Sequence, residues 1–137
     1  MFESDEVLPT ALVHGDAHVG NTFRAPACKL GFSDFQAMGQ GPYIWDVTYF
    51  VTGAMNPEDR SNFERELLSL YLDELRRNGA DEAPSFNDTF LAHRRQMMCG
   101  YLKILTPVEM QPVRFAVSMG IRFAAAMDEL DTLGSFD

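Results

Sequence analysis

The stretch from residue 11 to residue 35 constrains the fold more than any other part of the chain. It opens with a short apolar run that predicts a β-strand, and a polar loop over residues 14–21 follows. Two further short segments, residues 22–24 and 29–33, flank a turn that contains Pro26 and predict a β-hairpin. Because a hairpin brings its two ends together, we expect side chains placed before and after it to lie close in space.

Three side chains that carry oxygen ligands flank this hairpin. Asp16 and Asn21 lie in the loop before it, and Asp34 follows it directly. An Asp, an Asn five residues later and an Asp after the next strand form the spacing of a kinase phosphoryl-transfer site. Mg²⁺ prefers carboxylate and amide oxygens, and an alcohol nucleophile needs only an oriented carboxylate to accept its proton. The spacing therefore predicts that Asp16 orients a hydroxyl and that Asn21 and Asp34 are the metal and cofactor ligands.

The loop sequence His14-Gly15-Asp16 resembles that of the aminoglycoside phosphotransferase and choline-kinase-like family of small-molecule kinases. The segment 41–46 is similar to that family's Gly-Asp-Pro-x-x-Asp, with Pro42 and Asp46 matching and the first Asp missing. The resemblance covers roughly residues 11–54. It implies ATP as co-substrate, Mg²⁺ as cofactor and a hydroxyl group of a small molecule as acceptor.

The resemblance also implies roles for other residues in and near the loop. His14 is expected to pack under the loop and bond to its backbone, and Asp46 is expected to tie the start of a helix to the loop. His18 stands two residues after Asp16, where many protein kinases carry a phosphate-contacting lysine, so we group it with Asp16 as a catalytic candidate. The simpler alternatives are a plain helix-terminal acid for Asp46 and a solvent-facing loop residue for His18.

The rest of the chain predicts a helical body. After a polar, glycine-rich loop over residues 36–41, four helices are expected: from near 42 or 43 to about 54, from the cap at 56 to about 78, from the cap at 85 to about 105, and from about 109 to 133. The fold class is therefore α+β and mostly α-helical. It resembles the C-terminal lobe of a protein-kinase-like phosphotransferase, in which the catalytic loop and hairpin lie on a helical bundle.

We expect residues 1–137 to form a single domain, with the catalytic loop, hairpin and metal-binding Asp in residues 11–35 and a helical subdomain in residues 42–133. The family's N-terminal nucleotide-clamping lobe, with its glycine-rich loop and strand lysine, has no counterpart in the sequence. The sequence therefore predicts a fragment, a truncated reading frame or a minimal lobe that is incomplete alone. The face that would meet the missing lobe is expected to be apolar, which favours homo-oligomers.

Composition excludes several classes of partner. A net charge of −9 argues against nucleic-acid binding, which needs a basic surface. The acidic start of the chain does not resemble a signal peptide, and no apolar run approaches the length of a membrane span. Cys28 and Cys99 are far apart and lack metal-ligand spacing, so we expect free thiols and a cytoplasmic protein.

Two other functions stay open at this point. Residues 15–18 match the Gly-Asp-x-His that opens two-metal phosphoesterase sites, but such sites need further ligands, and His93 is the only histidine besides His14 and His18. A non-catalytic interaction module or pseudo-enzyme is the other alternative. The acceptor is undefined, since sugars, amino alcohols, antibiotics and steroid-like alcohols all suit the predicted chemistry.

Overall fold

The computed structural model describes residues 8–105, 109 and 111–137. The strands are β1 (Thr10–Val13), β2 (Thr22–Arg24), β3 (Leu30–Phe32) and β4 (Gly39–Pro42). The helices are α1 (Trp45–Ala54), α2 (Pro57–Arg77), α3 (Phe86–Ile104) and α4 (Val113–Glu129), and 3₁₀ turns cover Val19–Asn21, Pro26–Cys28, Phe35–Ala37 and Leu133–Phe136. This arrangement confirms the α+β, mostly helical fold class.

The strands form two antiparallel pairs. β2 and β3 make the predicted hairpin, with Thr22 opposite Phe32. β1 pairs with β4, with Val13 opposite Gly39. The prediction of a plain loop over residues 36–41 is therefore wrong, because its second half is a strand. Gly, Gln and Pro have low strand propensity, so the tertiary partner β1 rather than local sequence determines β4.

The helix caps follow the sequence more closely. The Asn56 side chain accepts a hydrogen bond from the backbone N–H of Asp59 at 2.8 Å and caps α2. Ser85 accepts one from the backbone N–H of Asp88 at 3.2 Å and caps α3. α1 begins later than predicted because β4 takes up the residues through Pro42.

α4 is shorter than the prediction of residues 109–133. It begins at Val113, directly after Pro112, and ends at Glu129. Beyond it the backbone of Asp131 adopts a φ of 47°, which breaks the helix. The predicted start at residue 109 adjoins residues 106–108 and 110, which lie outside the described part of the chain.

The helices enclose two apolar clusters. One is centred on Phe123 and Met97 and joins α1, α3 and α4. The other is centred on Ile44 and Leu68 and joins the start of α1 to α2 and α3. None of the helices in the described residues has the length and hydropathy that a bilayer crossing requires. The first cluster lies beneath the loop of residues 14–21, because Tyr49 belongs to it and also faces that loop.

A network of charged side chains around the buried Arg60 links α2 to α3 and α4. The Arg60 side chain is 1% exposed and forms ion pairs with Glu64 and Glu129. His93 is fully buried, its Nε2 lies 3.5 Å from Glu64 Oε2, and its Nδ1 lies 2.8 Å from the Thr48 hydroxyl. Burial alone would raise the pKa of Glu64, but the contact with His93 and the charge of Arg60 outweigh it and lower that pKa.

Candidate active site

A single carboxylate fixes the loop before β2. Asp46, in the first turn of α1, accepts the backbone N–H of His14 at 2.6 Å and that of Gly15 at 3.0 Å. The Gly15 carbonyl accepts a hydrogen bond from the Trp45 indole at 3.2 Å. Gly15 has a φ of 82°, and a Cβ there would lie 2.1 Å from the Ala37 carbonyl oxygen. The loop is thus held from α1 on one side and from the Phe35–Ala37 turn on the other.

The Asp16 carboxylate is surrounded by three donors. Asn21 Nδ2 donates to the Asp16 backbone oxygen at 3.0 Å and to Asp16 Oδ2 at 3.4 Å. His18 Nε2 lies 3.6 Å from the same carboxylate oxygen. On the other oxygen, Lys103 Nζ lies 2.9 Å from Asp16 Oδ1. The structure therefore brings Asp16, His18 and Asn21 together and adds a lysine that the sequence analysis did not single out.

The two loop histidines have defined tautomers when neutral. The backbone N–H of Asp16 points at His14 Nδ1 at 3.3 Å, so the other nitrogen carries the hydrogen and donates to the Ser33 carbonyl at 2.9 Å. The backbone N–H of Gly20 donates to His18 Nδ1 at 3.0 Å, which leaves Nε2–H facing Asp16. His14 therefore links the loop to the hairpin end, while His18 presents a donor beside the carboxylate.

Asp34 is connected to the other residues through its neighbour. Ser33 donates its backbone N–H to the Asn21 carbonyl at 2.8 Å, which places the end of the hairpin against the loop. Asp34 itself adopts the left-handed conformation, with a φ of 62°, and accepts a hydrogen bond from Gln36 at 3.4 Å. A non-glycine residue held in this conformation is a recurrent feature of functional sites. The Asp34 side chain is exposed and does not belong to the cleft that Asp16 lines.

A cleft with a volume of about 530 Å³ opens at Asp16. Its size lies within the range of small-molecule sites. The lining mixes charged, polar and aromatic side chains, among them Asp16, His18, Tyr49, Lys103, Arg114 and Phe115. Burial first and the charge of Asp16 second raise the pKa of Tyr49 to about 12, so its phenol is a neutral donor in this cleft at physiological pH.

Lys103 comes from the last turn of α3 and contacts the loop in several ways. Besides its ion pair with Asp16, its ammonium donates to the Gly15 carbonyl. It also lies 5.6 Å from the centre of the Trp45 ring and 5.0 Å from that of Tyr49, within cation–π range. No motif marks this residue. The sequence feature that could have indicated it is the position of Lys103 as a single cation among apolar neighbours at the end of a predicted helix.

The sequence profile of the ecdysteroid kinase-like family matches residues 2–81, which is more than half of the chain. The chain belongs to the ecdysteroid kinase-like family. This family is part of the superfamily of protein-kinase-like small-molecule kinases, so the broader resemblance inferred from His14-Gly15-Asp16 is confirmed. The match does not single out aminoglycoside phosphotransferases or choline kinases. Searches of curated proteins and of solved structures found no match.

The ecdysteroid kinase-like match covers the loop, the hairpin, α1 and α2. Asp16, Asn21, Asp34 and Asp46 therefore lie inside the matched residues, whereas Lys103 lies outside them. The matched range thus contains every site residue expected from the sequence. It carries no information on the α3 and α4 side of the cleft.

Kinase-like families generally use ATP and Mg²⁺, so the residues of this ecdysteroid kinase-like chain can be tested for their fit to that ion. Both atoms that Asn21 Nδ2 faces are acceptors, so the amide nitrogen points at Asp16 and the amide oxygen is the atom left to serve as a ligand. Asp34 supplies an exposed carboxylate. Such hard oxygen donors suit Mg²⁺. Among the described residues, no group of three or more His, Cys, Asp and Glu side chains is arranged for a metal ion, so the fit depends on the Asn21 amide.

Proposed function

We propose that this chain takes part in phosphoryl transfer from ATP to a hydroxyl group of a small molecule. The observation that carries the proposal is the position of the Asp16 carboxylate. It is oriented by Asn21 and Lys103, and it lines a cleft of small-molecule size. A carboxylate in this position accepts a hydrogen bond from the substrate hydroxyl group that will receive the phosphoryl group. As the acceptor oxygen bonds to phosphorus, the bond from phosphorus to the leaving nucleotide oxygen breaks, and the hydroxyl proton passes to Asp16.

Asn21 and Asp34 would hold Mg²⁺, which neutralises charge on the phosphates when it is bound. This assignment is supported by their oxygen chemistry and by the Ser33–Asn21 hydrogen bond that joins their segments. His14 and Asp46 keep the loop in place through backbone contacts. The catalytic contribution of the protein is then positioning and charge neutralisation.

Among the acceptors that the sequence leaves open, steroid-like alcohols come first because the family description names an ecdysteroid kinase. The cleft suits an acceptor with both apolar and hydroxyl-bearing parts, since Tyr49 and Phe115 line it together with Asp16. An ecdysteroid is therefore the first acceptor to test.

The direct test measures Mg²⁺-dependent ATP binding and phosphoryl transfer in this chain and in a version extended by the upstream coding sequence. We expect Asp34→Ala to remove the Mg²⁺-dependent part of ATP affinity, and Asp16→Asn to remove transfer while ATP binding persists. Asp81→Ala is the matched control, because Asp81 is an exposed acid in a turn. Unchanged Mg²⁺-dependent affinity in Asp34→Ala, or transfer that survives in Asp16→Asn, would contradict the assignment.

The exposed side chains of the hairpin favour a second candidate, a non-catalytic module that self-associates. Phe23 is 50% exposed and Leu30 is 59% exposed, on neighbouring strands. Exposed apolar patches of this kind promote association. Sedimentation velocity should then show an oligomer that Phe23→Ser with Leu30→Ser converts to a monomer. A wild-type chain that is monomeric at all concentrations would exclude this candidate.

A further inference from the structure

The cleft at Asp16 has the opposite charge balance to the chain as a whole. The chain carries a net charge of −9. The cleft, by contrast, is lined by two basic side chains, Lys103 and Arg114, and by one carboxylate, that of Asp16. A concave site with a net positive lining raises the local concentration of anions. The acidic composition of the chain gives no indication of this positively charged lining.

Lys103 is held where its charge faces both Asp16 and the cleft. Its side chain is 28% exposed, and it is fixed by the Asp16 carboxylate and the Gly15 carbonyl. An ammonium carries three N–H donors, and these two partners take two of them. The lysine is therefore positioned to contact a further oxygen atom in the cleft without leaving the loop.

Arg114 reaches the same cleft from the first turn of α4. That turn contains no acidic residue, so the positive end of the helix adds to the charge of Arg114. Gln111, just before α4, donates to the Ile104 carbonyl at 2.8 Å. This bond joins the start of α4 to the end of α3, which carries Lys103. The two cations therefore belong to segments that are hydrogen-bonded to each other.

We propose that Lys103 and Arg114 form an oxyanion subsite beside Asp16 that binds the phosphoryl group once it is attached to the acceptor oxygen. The assignment to a phosphoryl group rests on the proposed function. An arginine offers a planar pair of donors to phosphate oxygens and a lysine offers a point charge, so the two are complementary partners for a phosphate monoester.

The ion pair between Lys103 and Asp16 bears directly on anion binding. The Asp16 carboxylate competes with any anion for the Lys103 ammonium. Replacing that carboxylate by a neutral amide is therefore expected to strengthen the binding of an anion at Lys103.

The test measures binding of inorganic phosphate by calorimetry, without nucleotide or metal. We expect Asp16→Asn to bind phosphate at least about tenfold more tightly than wild type, because the competing charge is removed. In the Asp16→Asn background, Lys103→Met and Arg114→Met should each abolish the gain. The matched controls are Lys29→Met, the other lysine of the chain, and Arg24→Met, an exposed hairpin arginine, and both should leave binding unchanged.

Thermal unfolding of each variant separates a lost site from a lost fold, and Arg114 is exposed, so Arg114→Met does not depend on core packing. The subsite is refuted if Asp16→Asn binds no phosphate, or if Lys103→Met and Arg114→Met bind it as the controls do. Acetate that binds as tightly as phosphate would refute the phosphoryl assignment in favour of an acceptor carboxylate. Variant-sensitive phosphate binding, with no phosphoryl transfer by this chain or by its extended version, would support the subsite and contradict the proposed function alone.

Discussion

Asp46 Oδ2 accepts the backbone N–H of His14 at 2.6 Å, and its second oxygen accepts that of Gly15 at 3.0 Å. One side chain in the first turn of α1 therefore satisfies two consecutive loop amides. Hydrogen bonds to a charged group are each worth about 1.5–3 kcal/mol, and an amide that loses its partner inside the protein adds its own cost. Asp46 thus determines the position of the loop that carries Asp16.

Asp46→Ala should lower the free energy of unfolding by about 3 kcal/mol, because two charge-assisted bonds are lost. Asp46→Asn keeps one acceptor oxygen and should lose less. Glu58→Ala is the control, since Glu58 is an exposed acid in the first turn of α2 and measures the helix-dipole effect alone. Urea unfolding at neutral pH measures the loss of unfolding free energy in each variant. A loss in Asp46→Ala no larger than that in Glu58→Ala would contradict the role of Asp46 in supporting the loop.

Gly15→Ala should displace the loop. The substitution places a Cβ 2.1 Å from the Ala37 carbonyl oxygen in a backbone with a φ of 82°. Gly79→Ala is a matched control, because Gly79 has a φ of 97° but open space around a Cβ. Gly79→Ala should cost about 1–2 kcal/mol of unfolding free energy from the left-handed backbone alone. Gly15→Ala should cost a further 1–3 kcal/mol or so from overpacking, and equal losses in urea unfolding would show that the Ala37 contact is unimportant.

The parts of the fold that the sequence predicted correctly have local causes. Asn56 and Ser85 cap their own helices through contacts three residues away, and such signals are visible in any sequence window. The hairpin of β2 and β3 is likewise local. β4 was missed because its pairing to β1 spans about thirty residues and its own residues have little strand preference.

The same distinction applies to the site. Asp16, Asn21, Asp34 and Asp46 follow a spacing that a sequence reader can recognise. Lys103 meets Asp16 only because α3 packs beside the loop, 87 residues further along the chain. In α2 the structure exposes Phe63 by 49% and buries Arg60, the reverse of what the polarity of these side chains predicts. Burial of that arginine depends on acids from two helices, which no local pattern encodes.

Glu64→Gln should lower the free energy of unfolding at neutral pH by about 3 kcal/mol, because it leaves a buried arginine with one fewer counter-charge. The pKa of Glu64 is lowered in the folded chain. Its stabilising contribution is therefore complete above its ordinary pKa of 4.5 and is lost as the pH falls through the lowered folded-state pKa.

The pH dependence separates this network from general acid unfolding. Denaturant unfolding over a series of acidic pH values should show a smaller decline in Glu64→Gln than in wild type. Glu66→Gln removes an exposed acid two residues away and should keep the wild-type decline. If Glu64→Gln and Glu66→Gln show the same pH dependence, the buried pair does not contribute as the structure indicates.

Tyr49 offers a spectroscopic reporter of the charge on Asp16. Burial and the neighbouring Asp16 carboxylate raise the pKa of Tyr49 to about 12, from an ordinary value of 10.0. Ultraviolet titration of wild type minus Tyr49→Phe isolates this phenol. Asp16→Asn should lower the pKa of Tyr49, although burial will keep it above 10.0, whereas Asp34→Asn should leave it unchanged. Since the folded-state pKa is raised, the neutral phenol stabilises the fold fully below pH 10.0, and that contribution is lost as the pH rises through about 12. An identical Tyr49 titration in wild type and Asp16→Asn would show that the Asp16 carboxylate does not face the cleft wall that Tyr49 forms.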